Sequence, residues 1–196
     1  MDLLHVMSLL VLTQGRLVEG YRNLLSKSIF GLRWAIEECP WAHFVLKTDD
    51  DMFINVPAIQ RAVETLNMKW SIMGEINPTS PAIRGGKWKA TIEQFPFEMY
   101  PTYLTGTGYV MSADVLRPLF NASEYFPYLY IEDVYLTGIL RQILNINPVA
   151  HPEFNHHPRR TSIACEIVHD TLLTQTFVTA KMQRSIWRDF THAKCR

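Results

Sequence analysis

Three cysteines in 196 residues, Cys39, Cys165 and Cys195, are too few and too unevenly spaced for a zinc ribbon or finger, which removes a structural zinc site from consideration. Charge of one sign is also missing. Lys+Arg and Asp+Glu stand at 19 each, so no surface field draws in nucleic acid or an anionic membrane, and no nucleic-acid partner is expected. The apolar stretch Leu3 to Leu12 is broken by His5 and falls well short of the roughly 20 residues of a spanning helix. It also lacks the basic flank and small-residue cleavage site of a signal peptide. Neither repeats nor low-complexity tracts divide the chain, whose length suits one sizeable core.

What is present in quantity is aromatic: five Trp, eight Tyr and ten Phe. Most such rings build cores, but sugar-handling clefts also use them as platforms. The most informative segment is Phe44-Val45-Leu46-Lys47-Thr48-Asp49-Asp50-Asp51-Met52-Phe53, an apolar run ending in three consecutive carboxylates. Phe44-Val45-Leu46 reads as a buried strand, and ligands of open α/β sheets bind beyond the carboxyl ends of strands. Neighbouring carboxylates repel unless a cation, an arginine or hydrogen-bond donors compensate, and a hard divalent cation does so most simply. If the strand continues, Asp49 and Asp51 share one face and Asp50 takes the other. An exposed acidic turn is the plain alternative.

Around this segment the pattern predicts alternating helices and strands, hence an α/β domain. A helix is expected from Arg16 to Cys39, ended by Pro40, and a second from Val56-Pro57 to about Leu66. Trp70 to Gly74 reads as a strand, and Glu75 to Lys87 as a loop long enough to line a site. Gly106-Thr107-Gly108 is expected just ahead of another strand, with Ser112 as N-cap of a helix through Phe120. Glu132-Asp133 sits where a further helix begins, and a helix dipole favours charged acids there. An apolar run over Ser162 to Val168 ends in His169, and a last helix is expected over Leu172 to Phe190. Asn121-Ala122-Ser123 fits the N-glycosylation pattern and carries meaning in a secretory compartment.

Taken separately, these motifs have bland readings. Acids in a first helical turn cap it, Gly-Thr-Gly makes a tight turn, and a lone histidine is ordinarily a satisfied core residue. Taken in order, Lys47-Thr48-Asp49-Asp50-Asp51 with Asn55, Lys87-Trp88, Tyr100-Pro101, Gly106-Thr107-Gly108-Tyr109-Val110, Glu132-Asp133-Val134-Tyr135, Val168-His169 and Trp187 resemble the β-1,3-galactosyltransferase and N-acetylglucosaminyltransferase family. The Tyr21-Arg22-Asn23-Leu24 and Gly31-Leu32-Arg33-Trp34 helix fits as well, so the resemblance covers roughly Val18 to Cys195.

The resemblance implies a GT-A type α/β fold, inverting transfer from a UDP-sugar donor to a glycan acceptor, Mn2+ dependence, and residence as a type II protein of the Golgi membrane. Position by position it implies Asp51 and His169 as metal ligands. Lys47, Asp49, Asp50, Gly106, Thr107 and Gly108 would line the donor, and Asp133 would be the catalytic base. Only about twenty residues precede the Tyr21 helix, where the family carries an anchor, a stem and a first β-α portion. The expectation is a shortened chain, residues 1–15 divergent and 16–196 a partial catalytic domain, that binds UDP poorly by itself. Leu104 stands where relatives often have cysteine, so a disulfide placed there in the family does not carry over. Lys87-Trp88 and the Glu93 to Pro96 region look closer to the galactosyl branch. The competing expectations are an inactive remnant that binds a glycan or partner, and a metal-dependent phosphoesterase, because acids with histidine also build two-metal sites.

Overall fold

The computed structural model describes residues 16–18, 20–154 and 172–191. His169, Cys165, Cys195 and the 162–168 run therefore lie outside the described residues, as does the Leu3–Leu12 stretch. Eight strands and five α-helices are placed in order: α1 Leu24–Glu38, β1 Phe44–Thr48, β2 Phe53–Ile54, α2 Val56–Thr65, β3 Ser71–Asn77, β4 Ser80–Pro81, β5 Met99–Tyr100, β6 Tyr103–Ser112, α3 Ala113–Tyr125, α4 Arg141–Ile143, β7 Asn147–Ala150, β8 Thr174–Gln175 and α5 Ala180–Thr191. A π-helical segment, Val134–Leu140, runs directly into α4.

The central sheet is mixed, in the order β1-β6-β3-β7. β1 and β3 both run antiparallel to β6, and β7 runs parallel to β3. Three strands therefore share one direction, and their carboxyl ends open toward the first half of β6. Alternation along the strands divides the core. Val45, Ile72, Tyr109 and Met111 pack with α1, α3 and the π-helical segment, whereas Phe44, Leu46, Met73 and Val110 pack with α2. The expected α/β architecture is thus observed as a mixed sheet with helices on both faces. Among the described residues no helix is long and apolar enough to cross a membrane.

Several elements differ from the pattern, each for a local reason. The first helix begins at Leu24 after a 3-10 turn, Tyr21–Asn23, because the Asn23 side-chain amide donates to the Val18 carbonyl at 2.8 Å instead of leaving the backbone to an upstream helical turn. It stops at Cys39, the residue ahead of Pro40, where proline disfavours helical backbone. The glycines at 106 and 108 lie within β6 rather than ahead of it. Ser112 occupies the N-cap position of α3, as expected, but its side chain makes no capping bond. Its hydroxyl instead accepts from the Ser71 N–H and bonds Asp114, tying β6 to β3. Residues 172–179 are not helical, with only Thr174–Gln175 in a strand, and the last helix starts at Ala180.

That segment supports the acidic turn. β8 pairs with β2, the Asn55 N–H donates to the Leu173 carbonyl at 2.9 Å, and the Val178 N–H donates to the Asp51 carbonyl at 2.8 Å. The Gln183 amide then donates to the Asp50 and Met52 carbonyls at 3.2 and 3.0 Å. Leu172, Val178 and Ile186 form a small core with Phe53 beneath these contacts.

Candidate active site

β1 ends at Thr48, and Asp50 and Asp51 form a turn instead of continuing the strand. The alternation that would have put Asp49 and Asp51 on one face therefore does not apply; Asp49 is half-buried while Asp50 and Asp51 are exposed. The Asp49 N–H faces the Thr107 carbonyl at 3.4 Å, and the Thr48 hydroxyl donates to the same carbonyl at 3.1 Å. Gly108 lies opposite Thr48 in the ladder. The acidic turn and the Gly106–Gly108 stretch are in this way held side by side.

Lys47 joins them to the second pair of acids. Its ammonium donates to Asp49 Oδ1 at 2.8 Å and to the Gly106 carbonyl, and it lies 3.4 Å from Glu132 Oε2. Glu132 is buried and also accepts from the Tyr109 hydroxyl, while Tyr109 faces Lys47 across the two strands. Burial works against the Lys47 ammonium, but the Glu132 and Asp49 carboxylates outweigh it and hold its pKa above the ordinary value. Burial and Glu132 push the Tyr109 phenol well above its usual range, so it serves as a donor at neutral pH. Sequence reasoning named Glu132 and Tyr109 without a role for either. The missing information was register, which sets Tyr109 opposite Lys47 in the β1–β6 ladder.

Asp133 sits one residue further, at the start of the helix. Its Oδ1 accepts from the Val134 N–H at 2.9 Å and its Oδ2 from the Gly106 N–H at 3.1 Å. A Cβ at position 106 would lie 3.1 Å from that same Oδ2, so glycine is what lets the strand reach the carboxylate. Burial first, and then the neighbouring Glu132 charge, raise the Asp133 pKa to about 6, against the pull of the two N–H groups and Lys47. Burial and Asp133 together push the Tyr103 phenol up to about 12, and Asn77 donates to that hydroxyl at 2.7 Å.

The helix behind Asp133 is locked to β6. Thr137 accepts from the Leu104 N–H at 2.8 Å, and its hydroxyl lies 2.7 Å from the Asp133 carbonyl. Arg141 donates to the carbonyls of Thr137, Ile146 and Thr102. Gly138 packs so close to Tyr103 and Pro101 that a Cβ there would come within 3.1 Å of the Tyr103 Cβ. A π-helical turn accommodates these contacts, and such turns are frequent at functional sites.

A cavity of about 590 Å3 runs between α1 and β1 and ends at Lys47, Thr48 and Asp49. Its wall along α1 combines the apolar Leu24, Leu32 and Ala35 with the polar Lys27 and Ser28. Among the described residues β1 lies at one edge of the central sheet. Lys47, Asp49, Gly106, Thr107, Gly108 and Asp133 are thus brought together, with Asp50 and Asp51 on the adjoining turn. Asn121 is exposed on α3. Among the described residues no three His, Cys, Asp or Glu side chains form a metal cluster. As exposed hard-oxygen donors on one turn, Asp50 and Asp51 have the chemistry that a divalent cation of the Mg2+ or Mn2+ kind takes.

Comparison with known proteins bears on this arrangement. The model of the galactosyltransferase family matches residues 12–152. Beta-1,3-galactosyltransferase 5 of Pan paniscus is 38% identical over 132 residues, covering 66% of this chain and 44% of the relative. The enzyme of the same name from Mus musculus is 35% identical over 133 residues, 66% of this chain and 43% of the relative. Beta-1,3-galactosyltransferase 1 of Mus musculus is 29% identical over 194 residues, 91% of this chain and 56% of the relative. The chain spans about half the length of the curated relatives it matches. With the matched stretch running from before the acidic turn to beyond Asp133, the chain belongs to the galactosyltransferase family.

Proposed function

We propose that this chain carries the catalytic machinery of an inverting β-1,3-hexosyltransferase of GT-A type, moving galactose from UDP-galactose to the 3-hydroxyl of a glycan acceptor in the Golgi lumen. The observation that carries the reading is the environment of Asp133: a carboxylate oriented by two backbone N–H groups, with a pKa of about 6, beside a second set of acids at a strand end. A general base works best when its pKa lies near the operating pH, and this one has been raised toward it.

In the proposed reaction the acceptor's 3-hydroxyl gives its proton to Asp133 while its oxygen attacks the donor's anomeric carbon. The bond from that carbon to the UDP oxygen breaks on the opposite face, so an α-linked donor yields a β-linked product. One carboxylate suffices, and no second acid is asked to act as nucleophile. Asp51, with His169 from outside the described residues, would hold Mn2+, and Asp50 would stand beside it. A cation bound there supplies positive charge for the departing diphosphate. Lys47, Asp49 and the Gly106–Gly108 strand would line the donor, and Lys47 keeps Asp49 fixed through its 2.8 Å bond.

The test is a donor screen with Mn2+: UDP-galactose against UDP-N-acetylglucosamine, simple β-glycosides as acceptors, and linkage analysis of the product. A β-1,3-linked galactose is expected. Hydrolysis of phosphoesters with no glycoside formed would overturn the reading in favour of a metal-dependent phosphoesterase.

A further inference from the structure

Three successive backbone carbonyls of the acidic turn, those of Asp50, Asp51 and Met52, all accept from one short stretch far along the chain. The Asp51 carbonyl takes the Val178 N–H at 2.8 Å. The carbonyls on either side of it share the Gln183 side-chain amide, at 3.2 Å for Asp50 and 3.0 Å for Met52. Both of these neighbours are acceptors, so the amide nitrogen faces them and serves one carbonyl with each of its two N–H groups. The start of α5 brings the amide there. The Thr179 hydroxyl accepts from the Met182 N–H at 3.3 Å and the Thr179 carbonyl from the Gln183 N–H at 2.9 Å, which puts Gln183 in the first turn of the helix. Ile186, three residues on, is buried with Leu172 and Val178 against Phe53 and seats the helix.

Folding alone asks for less. The β2–β8 pairing, the bond from the Asn55 N–H to the Leu173 carbonyl and the Ile186 core already join the two stretches of chain. A half-buried amide that spans the carbonyls before and after Asp51 adds one thing, a fixed backbone on both sides of that residue. Asp50 and Asp51 are adjacent, exposed and of like charge, so a turn left unheld would let their carboxylates spread apart. Carboxylates already held in one arrangement bind a cation without the cost of ordering them first.

We infer that Gln183 is a positioning residue for the cation: through the carbonyls of Asp50 and Met52 it presets the turn that carries the Asp51 carboxylate, and so sets the affinity for a divalent ion from a helix outside the site. It acts through the backbone and not on the ion. The inference rests on the reading of Asp51 as a cation ligand. Partners that orient a metal's ligands are worth about tenfold to a hundredfold in metal affinity.

The experiment uses the full chain, Mn2+ alone as the probe, and four variants. Gln183→Met and Gln183→Leu remove the donor, Ile186→Val loosens the same junction with the amide left in place, and Asp51→Asn removes the ligand. Water-proton relaxation reads Mn2+ affinity, denaturant melts read stability, and hydrogen exchange of the Val178 N–H in the metal-free chain reads the turn itself. Both Gln183 variants are expected to raise the Mn2+ Kd about tenfold to a hundredfold and to speed Val178 exchange. Ile186→Val is expected to lower stability and leave the Mn2+ affinity unchanged. If Asp51→Asn loses Mn2+ while both Gln183 variants bind it normally, the cation reading stands and the role of Gln183 is overturned. Weakening in Ile186→Val to the same degree as in Gln183→Met makes the effect one of folding and overturns it too. If Asp51→Asn binds Mn2+ as the unsubstituted chain does, or the unsubstituted chain binds none, the cation reading falls and the role of Gln183 with it.

Discussion

Two pairs of neighbouring acids meet at this site under opposite conditions. Asp50 and Asp51 sit on an exposed turn, clamped through their backbones by Val178 and Gln183 while their carboxylates face water. Glu132 and Asp133 sit at a helix start, Glu132 buried against Tyr109 and Lys47, and Asp133 pressed against Gly106. The same residue type is therefore prepared for two tasks. Exposed carboxylate oxygens on one turn suit a cation, whereas a desolvated carboxyl beside a like charge is pushed toward protonation and suits proton transfer.

The strongest way to break this contrast is Asp133→Asn. Transfer should fall at least about 10³-fold with donor affinity nearly unchanged, because the base acts on the acceptor. Initial rates and donor titration check this, and a variant with more than a tenth of the normal rate would remove Asp133 from the role. The same variant carries a stability signature. The folded-state pKa of about 6 lies above the ordinary 3.8, so this carboxyl supports the native state fully while protonated, below about pH 4. That support is lost as pH rises through about 6, at a cost on the order of 3 kcal/mol. Asp133→Asn should therefore be more stable than the unsubstituted chain at pH 7.5 and no more stable at pH 4, as read by denaturant melts.

Next in size is Asp51→Asn. We expect the Mn2+ concentration for half-maximal rate to rise by about 10²-fold, with stability within about 0.5 kcal/mol because the side chain is exposed. An unchanged metal requirement would separate the turn from metal binding. Gly106→Ala pushes a methyl group against Asp133 Oδ2 and should lower kcat about tenfold to a hundredfold, with the fold retained. Smallest is Glu132→Gln. Removing the neighbouring charge lowers the Asp133 pKa, so the acid limb of the pH–rate profile should move down by about one unit. A limb that stays in place would mean that burial alone sets the Asp133 value.

Much of this contrast was written in the sequence, and some of it was not. Val56-Pro57 predicts α2 because a proline in the first helical turn acts locally, and the structure adds a cap, the Asn55 side chain accepting from the Ala58 N–H. The strand Phe44–Thr48 was readable for the same reason, as a short apolar run with a defined end. Ser112 does stand at the N-cap position of α3, but its hydroxyl is taken by a cross-strand partner in Ser71, which local sequence does not display. The Leu172–Val178 stretch misled because pairing with β2 and packing on Phe53 overrode its helical spacing. In the site, the acids and glycines stood out by type, but the Lys47–Glu132–Tyr109 linkage depends on register between strands far apart in the chain. His169 lies outside the described residues, so its pairing with Asp51 stays a proposal.

The most direct test of the contrast does not depend on activity. Carboxyl-carbon NMR of the full chain, labelled at aspartate and assigned with Asp133→Asn and Asp51→Asn, follows each group through pH 3 to 8. The account predicts a midpoint of about 6 for Asp133. A midpoint near 4 for Asp133 would contradict it.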